Sequence, residues 1–102
     1  MAVMFAEEQL LTAEDAAEEA IHGRWELVRG RVVTYMPVQP EHGDCAHRIA
    51  VAADRHLGGV GRALMGPEIG FVTERNPDTV RAPDFSLTWR EEAARRREGA
   101  WI

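Results

Sequence analysis

The sequence contains no lysine, and all twelve of its basic residues are arginines. These 102 residues therefore cannot supply a Schiff-base amine or the phosphate-binding lysine of a P-loop. Cysteine occurs once, at Cys45, so no intramolecular disulfide can form, and no zinc-ligand spacing surrounds it. Serine and asparagine also occur once each, at Ser86 and Asn76, and this scarcity beside all-arginine basic residues fits a G+C-rich coding sequence. No apolar run approaches the roughly 20 residues of a membrane span. The acidic start lacks the basic and apolar regions of a signal peptide. A reduced, cytoplasmic setting away from membranes is the expectation.

What is present points to one folded domain over residues 1–102, with a lead-in at 1–11 and a charged C-terminal segment at 90–102. Hydrophobic residues make up 45% and charged residues 28%, with three tryptophans, a globular rather than disordered balance. Net charge is −5. It is unevenly placed: Glu7, Glu8, Glu14, Asp15, Glu18 and Glu19 precede the first arginine, and the remainder is near neutral. The average charge disfavours nucleic acid, but its distribution leaves nucleic acid open as a partner.

Local signals predict the order αββαβββ(α). Thr12 with Asp15 forms a capping box before a helix over about Ala13–His22, with Gly23 as its stop. Trp25–Val28 and Arg31–Tyr35 are β-rich and flank Arg29-Gly30, which suits a two-residue turn needing positive φ. A second helix is expected over about Glu41–Leu57. Pro40 stands at its start, and Cys45, Ile49, Ala52, Ala53 and Leu57 form its core stripe. Short strands are expected at Val60–Met65 and Ile69–Thr73, around Gly66-Pro67. A turn at residues 76–79 leads to a fifth strand, Val80–Trp89, with Pro83 forcing an edge or irregular start. Arg90–Glu98 has Glu91/Arg95 and Glu92/Arg96 at helical spacing. The sum is an α+β fold: an N-terminal helix, a β-hairpin and one long helix packed on a sheet.

Three acids stand where backbone structure would hold them: Glu26 on the hairpin, Glu68 beside a turn, and Asp84 between apolar residues after Pro83. Burying Asp84 requires a cation or metal. On alternation alone it points outward and pairs with Arg81 or Arg90. His22, His42, His47 and His56 lack metal-ligand spacing and read as solvated or hydrogen-bonded residues. Cys45, on the apolar stripe, reads as core. Arg95-Arg96-Arg97 reads as a solvated helix face. Spacing alone leaves function open.

The segments taken in order resemble a known pattern. Glu26-Leu27-Val28-Arg29-Gly30-Arg31-Val32-Val33, after an acidic helix, is similar to the "YELidGelv" hairpin of the Uma-type restriction endonuclease family, within the PD-(D/E)xK nuclease superfamily. Met36-Pro37 and Pro40-Glu41-His42 resemble its "mP…PeH" segment. Residues 77–86, Pro-Asp-Thr-Val-Arg-Ala-Pro-Asp-Phe-Ser, are similar to its "dpdTvraPDvsfv" stretch. The resemblance runs from about Thr12 to Thr88. It implies the N-terminal part of a mixed-sheet nuclease core that binds DNA and a divalent ion, Mg²⁺ or Mn²⁺. Asp84 would be the metal-binding, catalytic carboxylate and Glu26 a further catalytic carboxylate. His42 and Arg81 would face the substrate. The family pattern continues with a second acid and a lysine, whereas these residues end at Gly99-Ala100-Trp101-Ile102. The expectation is a truncated member, inactive as it stands. The alternative is a non-catalytic module that forms a homodimer through an exposed sheet edge.

Overall fold

The computed structural model describes residues 9–19, 23–58 and 61–102. The first helix, α1, is Ala13–Glu18. The Thr12 side chain accepts from the Asp15 amide at 3.0 Å, and the Thr12 amide donates to Asp15 Oδ2 at 3.1 Å, closing the predicted capping box. The helix ends before the expected His22: Glu19 is already extended, at φ −76° and ψ 138°, and Ala20–His22 lie outside the described residues.

Strands β1 (Arg24–Val28) and β2 (Arg31–Tyr35) form the predicted hairpin, with Val28 opposite Arg31. Arg29 and Gly30 both have positive φ, 49° and 82°, as a primed two-residue turn requires. Gly30 also leaves no room for a side chain, because a Cβ there would stand 2.8 Å from that of Leu10.

Four further strands are β3 (Ala63–Gly66), β4 (Phe71–Glu74), β5 (Thr79–Arg81) and β6 (Ser86–Trp89), followed by helix α3 (Arg90–Arg96). They divide between a four-stranded sheet of order β2-β1-β5-β4 and a two-stranded sheet, β3-β6. The α+β class is as expected. Where the resemblance implied a mixed sheet, every paired strand here runs antiparallel to its neighbour.

The single strand expected over Val80–Trp89 is two strands in two different sheets. Val80 pairs with Leu27 and Val72, whereas Ser86–Trp89 pairs with Gly66–Ala63. Pro83 explains the break: it has no N–H to donate to a ladder. Asp84 therefore lies on a bend between sheets, not inside a strand. Besides the long connection through α2, the chain makes two short crossings between the sheets, at residues 67–70 and at residues 82–85. The crossings touch, with the Glu68 amide donating to the Pro83 carbonyl at 3.1 Å.

The core lies on one face of the larger sheet. Leu27, Val32 and Val80 meet Ala13 and Ala16 of α1, with Leu11, Trp25, Val72 and Trp101 around them. Trp101 stacks edge-on against Trp25 at 5.8 Å and donates from Nε1 to the Ala13 carbonyl at 2.8 Å. Gly70 makes way for it, since a Cβ there would sit 2.5 Å from the Trp101 ring. Ile102 is buried and bonds Gly70 and Val72 at 3.0 and 2.8 Å, covering the outer edge of β4 beside Phe71.

Beside the buried Thr79, the second buried polar residue of this region is Asp78. Its carboxylate accepts from the amides of Ala13 (2.8 Å) and Asn76 (3.1 Å) and from Arg75 Nη1 (2.8 Å). The Ala13 amide, chief among these donors, holds the Asp78 carboxyl below its ordinary pKa. Arg75 also grips Glu14 at 3.0 Å and Glu98 at 2.9 Å, and its hydrogen bond lowers the Glu14 pKa as well.

Helix α2 spans Pro40–His56 with proline in its first turn, close to prediction. Its packing differs from prediction. None of its residues is buried, and the side nearest the body carries Ala46, Ala50, Ala53 and then Leu57. Cys45 is exposed, not a core residue, and Ile49 is about half exposed. Of the expected stripe, Ala53 and Leu57 are half-buried, whereas Cys45, Ile49 and Ala52 are exposed, because an apolar stripe identifies only the residues that could be buried. In α3 the formed ion pair is Glu92–Arg95, three residues apart, in place of the expected four-residue spacing. Among the described residues, no helix is long and apolar enough to cross a membrane.

Candidate functional site

Alternation along β1 sets the site. Leu27 points into the core, so Arg24 and Glu26, two residues apart, share the opposite face. Tyr35, directly across from Arg24 on β2, extends that face. Arg81 follows the core residue Val80 on β5 and joins it from the other side.

Glu26 is the most enclosed carboxylate of this face, with its side chain 14% exposed. It accepts from Tyr35 Oη at 3.1 Å, Arg81 Nη1 at 3.0 Å and the Ala82 amide at 2.7 Å. Desolvation, and then the Glu26 carboxylate, raise the Tyr35 pKa above the ordinary phenol value. Glu26 thus pins the end of β5 at the start of the crossing that carries Asp84.

A cleft of about 360 Å³ opens beside these residues, lined by Arg24, Glu26, His42, Glu68 and Asp84 among others. Arg24 reaches both crossings, with Nε 3.1 Å from Glu68 Oε1 and Nη2 3.4 Å from Asp84 Oδ1. His42, in the first turn of α2, places Nε2 3.4 Å from the same Asp84 oxygen. Glu68 adopts φ 59°, unusual for a residue with a side chain and the kind of local strain that gathers at functional sites. A second groove of about 250 Å³ continues from this cleft along α2, past Ala46, His47 and Ala50.

The structure therefore gathers Asp84, Glu26 and His42 around one cleft; Arg81 is not part of its lining but is bonded to Glu26, which is. Asp84 pairs with Arg24 and His42, in place of the expected Arg81 or Arg90. Cys45, His47 and His56 are exposed, and His22 lies outside the described residues. Arg24 is the participant that sequence reading missed. Its signal was present, since a residue two before Glu26 on a strand must share its face. Tyr35 could have been found the same way from the hairpin register.

Carboxylate oxygens suit Mg²⁺ or Mn²⁺, but the arrangement does not fit such an ion. Glu26 is engaged by three donors, and Glu68 and Asp84 face the Arg24 guanidinium. Among the described residues, no three His, Cys, Asp or Glu side chains gather as a set able to hold a metal.

Comparison with family models matches residues 8–101 to Uma2, described as "Putative restriction endonuclease". Searches of curated proteins and of solved structures gave no match.

Proposed function

The chain belongs to the Uma2 family, and from that membership we propose that the cleft around Arg24 and Asp84 handles a DNA phosphodiester. The observation that supports this is convergence. Arg24, Glu26, His42, Glu68 and Asp84 come from β1, α2 and both crossings to one concave surface.

The side chains divide into roles on physical grounds. Arg81 is half exposed with one nitrogen on Glu26, which aims a planar guanidinium suited to a phosphate oxygen. His42, also solvent-accessible, is the second phosphate-facing group. Asp84, with its side chain 60% exposed and its contacts at 3.4 Å, is the carboxylate open enough to accept from a water beside phosphorus. Glu26 acts as a positioning residue, holding Arg81 and the Ala82 amide.

A labelled DNA duplex titrated with the protein in a chelator tests the reading. Binding is expected to weaken as salt rises, and Arg81→Ala is expected to weaken it by roughly tenfold at fixed salt. Undetectable binding, or equal binding by Arg81→Ala, overturns the assignment. The same titration with Asp84→Asn is expected to leave binding intact or tighter, because a negative charge near the phosphate is removed.

A second reading, a homodimer, is favoured by one feature. The two-stranded sheet exposes Leu87 and Trp89 on β6, apolar residues on a strand able to pair with another chain. Sedimentation velocity over a hundredfold range of concentration should then show mass rising toward twice that of the chain. A constant monomer mass rejects it.

A further inference from the structure

The nuclease reading implies a divalent ion, yet the cleft presents a guanidinium where its carboxylates converge. We infer that Arg24 is the resident cation of this cleft, and that a divalent ion and the Arg24 guanidinium are alternative occupants of one place. The inference rests on the proposed reading of the cleft but concerns cation affinity rather than DNA binding.

Geometry supplies the argument. Glu68 and Asp84 stand on separate crossings tied together through the Glu68 amide and the Pro83 carbonyl, which fixes their backbones as neighbours. Both carboxylates turn toward Arg24, as does the crossing that His42 contacts through Asp84. Arg24 is the most enclosed of the four, its side chain 26% exposed against 49%, 60% and 43% for Glu68, Asp84 and His42. The cation is thus innermost, with the anions and the imidazole around its outer side. Two carboxylates without it would face each other across the cleft uncompensated, a repulsive arrangement that a divalent ion relieves. With it in place, an arriving Mg²⁺ meets a fixed positive charge and carboxylates already engaged.

The test is a Mn²⁺ titration of the full chain, followed by the electron paramagnetic resonance signal of the free aqua ion. Wild type, Arg24→Gln, Arg24→Leu, Arg24→Lys and the double variant Arg24→Gln/Asp84→Asn are compared, with circular dichroism reporting the fold of each. Arg24→Gln and Arg24→Leu are expected to bind Mn²⁺ at least about tenfold more tightly than wild type, because removing the charge removes its repulsion. Arg24→Lys keeps the charge and should stay at the wild-type level. The double variant should return there, because it lacks the Asp84 ligand. Wild type binding as tightly as the neutral variants overturns the inference. So does a folded neutral variant with no gain, or a gain that survives loss of Asp84. Should both neutral variants unfold, wild type and the single variant Asp84→Asn decide: stoichiometric Mn²⁺ binding by wild type that Asp84→Asn loses rejects the inference, and no stoichiometric binding by wild type supports it. The chelator-treated DNA titration separates the two proposals, since failure there removes the DNA reading while leaving the Mn²⁺ result standing.

Discussion

Asp78→Ala is expected to lower the stability of the fold by about 2–4 kcal/mol, because it strands two backbone donors, one buried and one part-buried, that Asp78 now satisfies. The donors are named: the Ala13 amide, which opens α1, and the Asn76 amide in the turn before β5. Helix-terminal amides have no partner within the helix, so a side chain 65 residues away in sequence performs that role here. Arg75 remains held by Glu14 and Glu98, so the loss falls mainly on the amides. A thermal melt followed by circular dichroism should drop by roughly 10–25 °C for a domain of this size. An unchanged melting temperature would mean that water replaces the carboxylate at no cost.

The same residue sets an acid dependence whose sign is fixed. The folded carboxyl titrates below its ordinary value of 3.8. Its stabilisation is therefore complete above that value and declines as the pH falls through the folded pKa, because the unfolded chain takes up the proton first. Glu14, lowered by Arg75, adds in the same direction. Wild type should lose stability on acidification below about pH 4, and Asp78→Ala should lose it less steeply.

Leu27→Ala is expected to cost about 3–5 kcal/mol, near the upper end of the range for such truncations. Leu27 has no exposed surface and lies opposite Val32 on one side and Val80 on the other. Because β1 is paired on both edges, its neighbours are held by two ladders and cannot close over the lost methyls. Val38→Ala, at a residue 43% exposed, should change stability by less than about 0.5 kcal/mol and serves as the control. Urea midpoints for the two variants check the contrast. A Leu27→Ala penalty no larger than the control's would place the core elsewhere.

What the sequence made legible was what local chemistry determines. Thr12 and Asp15 are three residues apart, and Arg29-Gly30 carries its turn type in its own φ preferences. The family pattern added Asp84, Glu26 and His42, which do meet around one cleft. The rest depends on distant partners. Val80–Trp89 reads as one apolar run because both halves are buried or paired, and nothing local says that they pair in different sheets. The stripe on α2 names apolar residues without saying how closely anything approaches, so Cys45 and Ile49 read as core from the sequence yet stand exposed. Arg81 and Arg90 were the nearest cations to Asp84 in sequence, whereas its arginine partner lies 60 positions away.

The paired crossings carry a mechanical consequence. Glu68 and Asp84 are each mounted on a strut joining the same two sheets, and Arg24 spans both struts from the larger sheet. The struts are also tied to each other through the Glu68 amide and the Pro83 carbonyl, so backbone and guanidinium together set the spacing of the two carboxylates, and a change in either crossing is felt at the other.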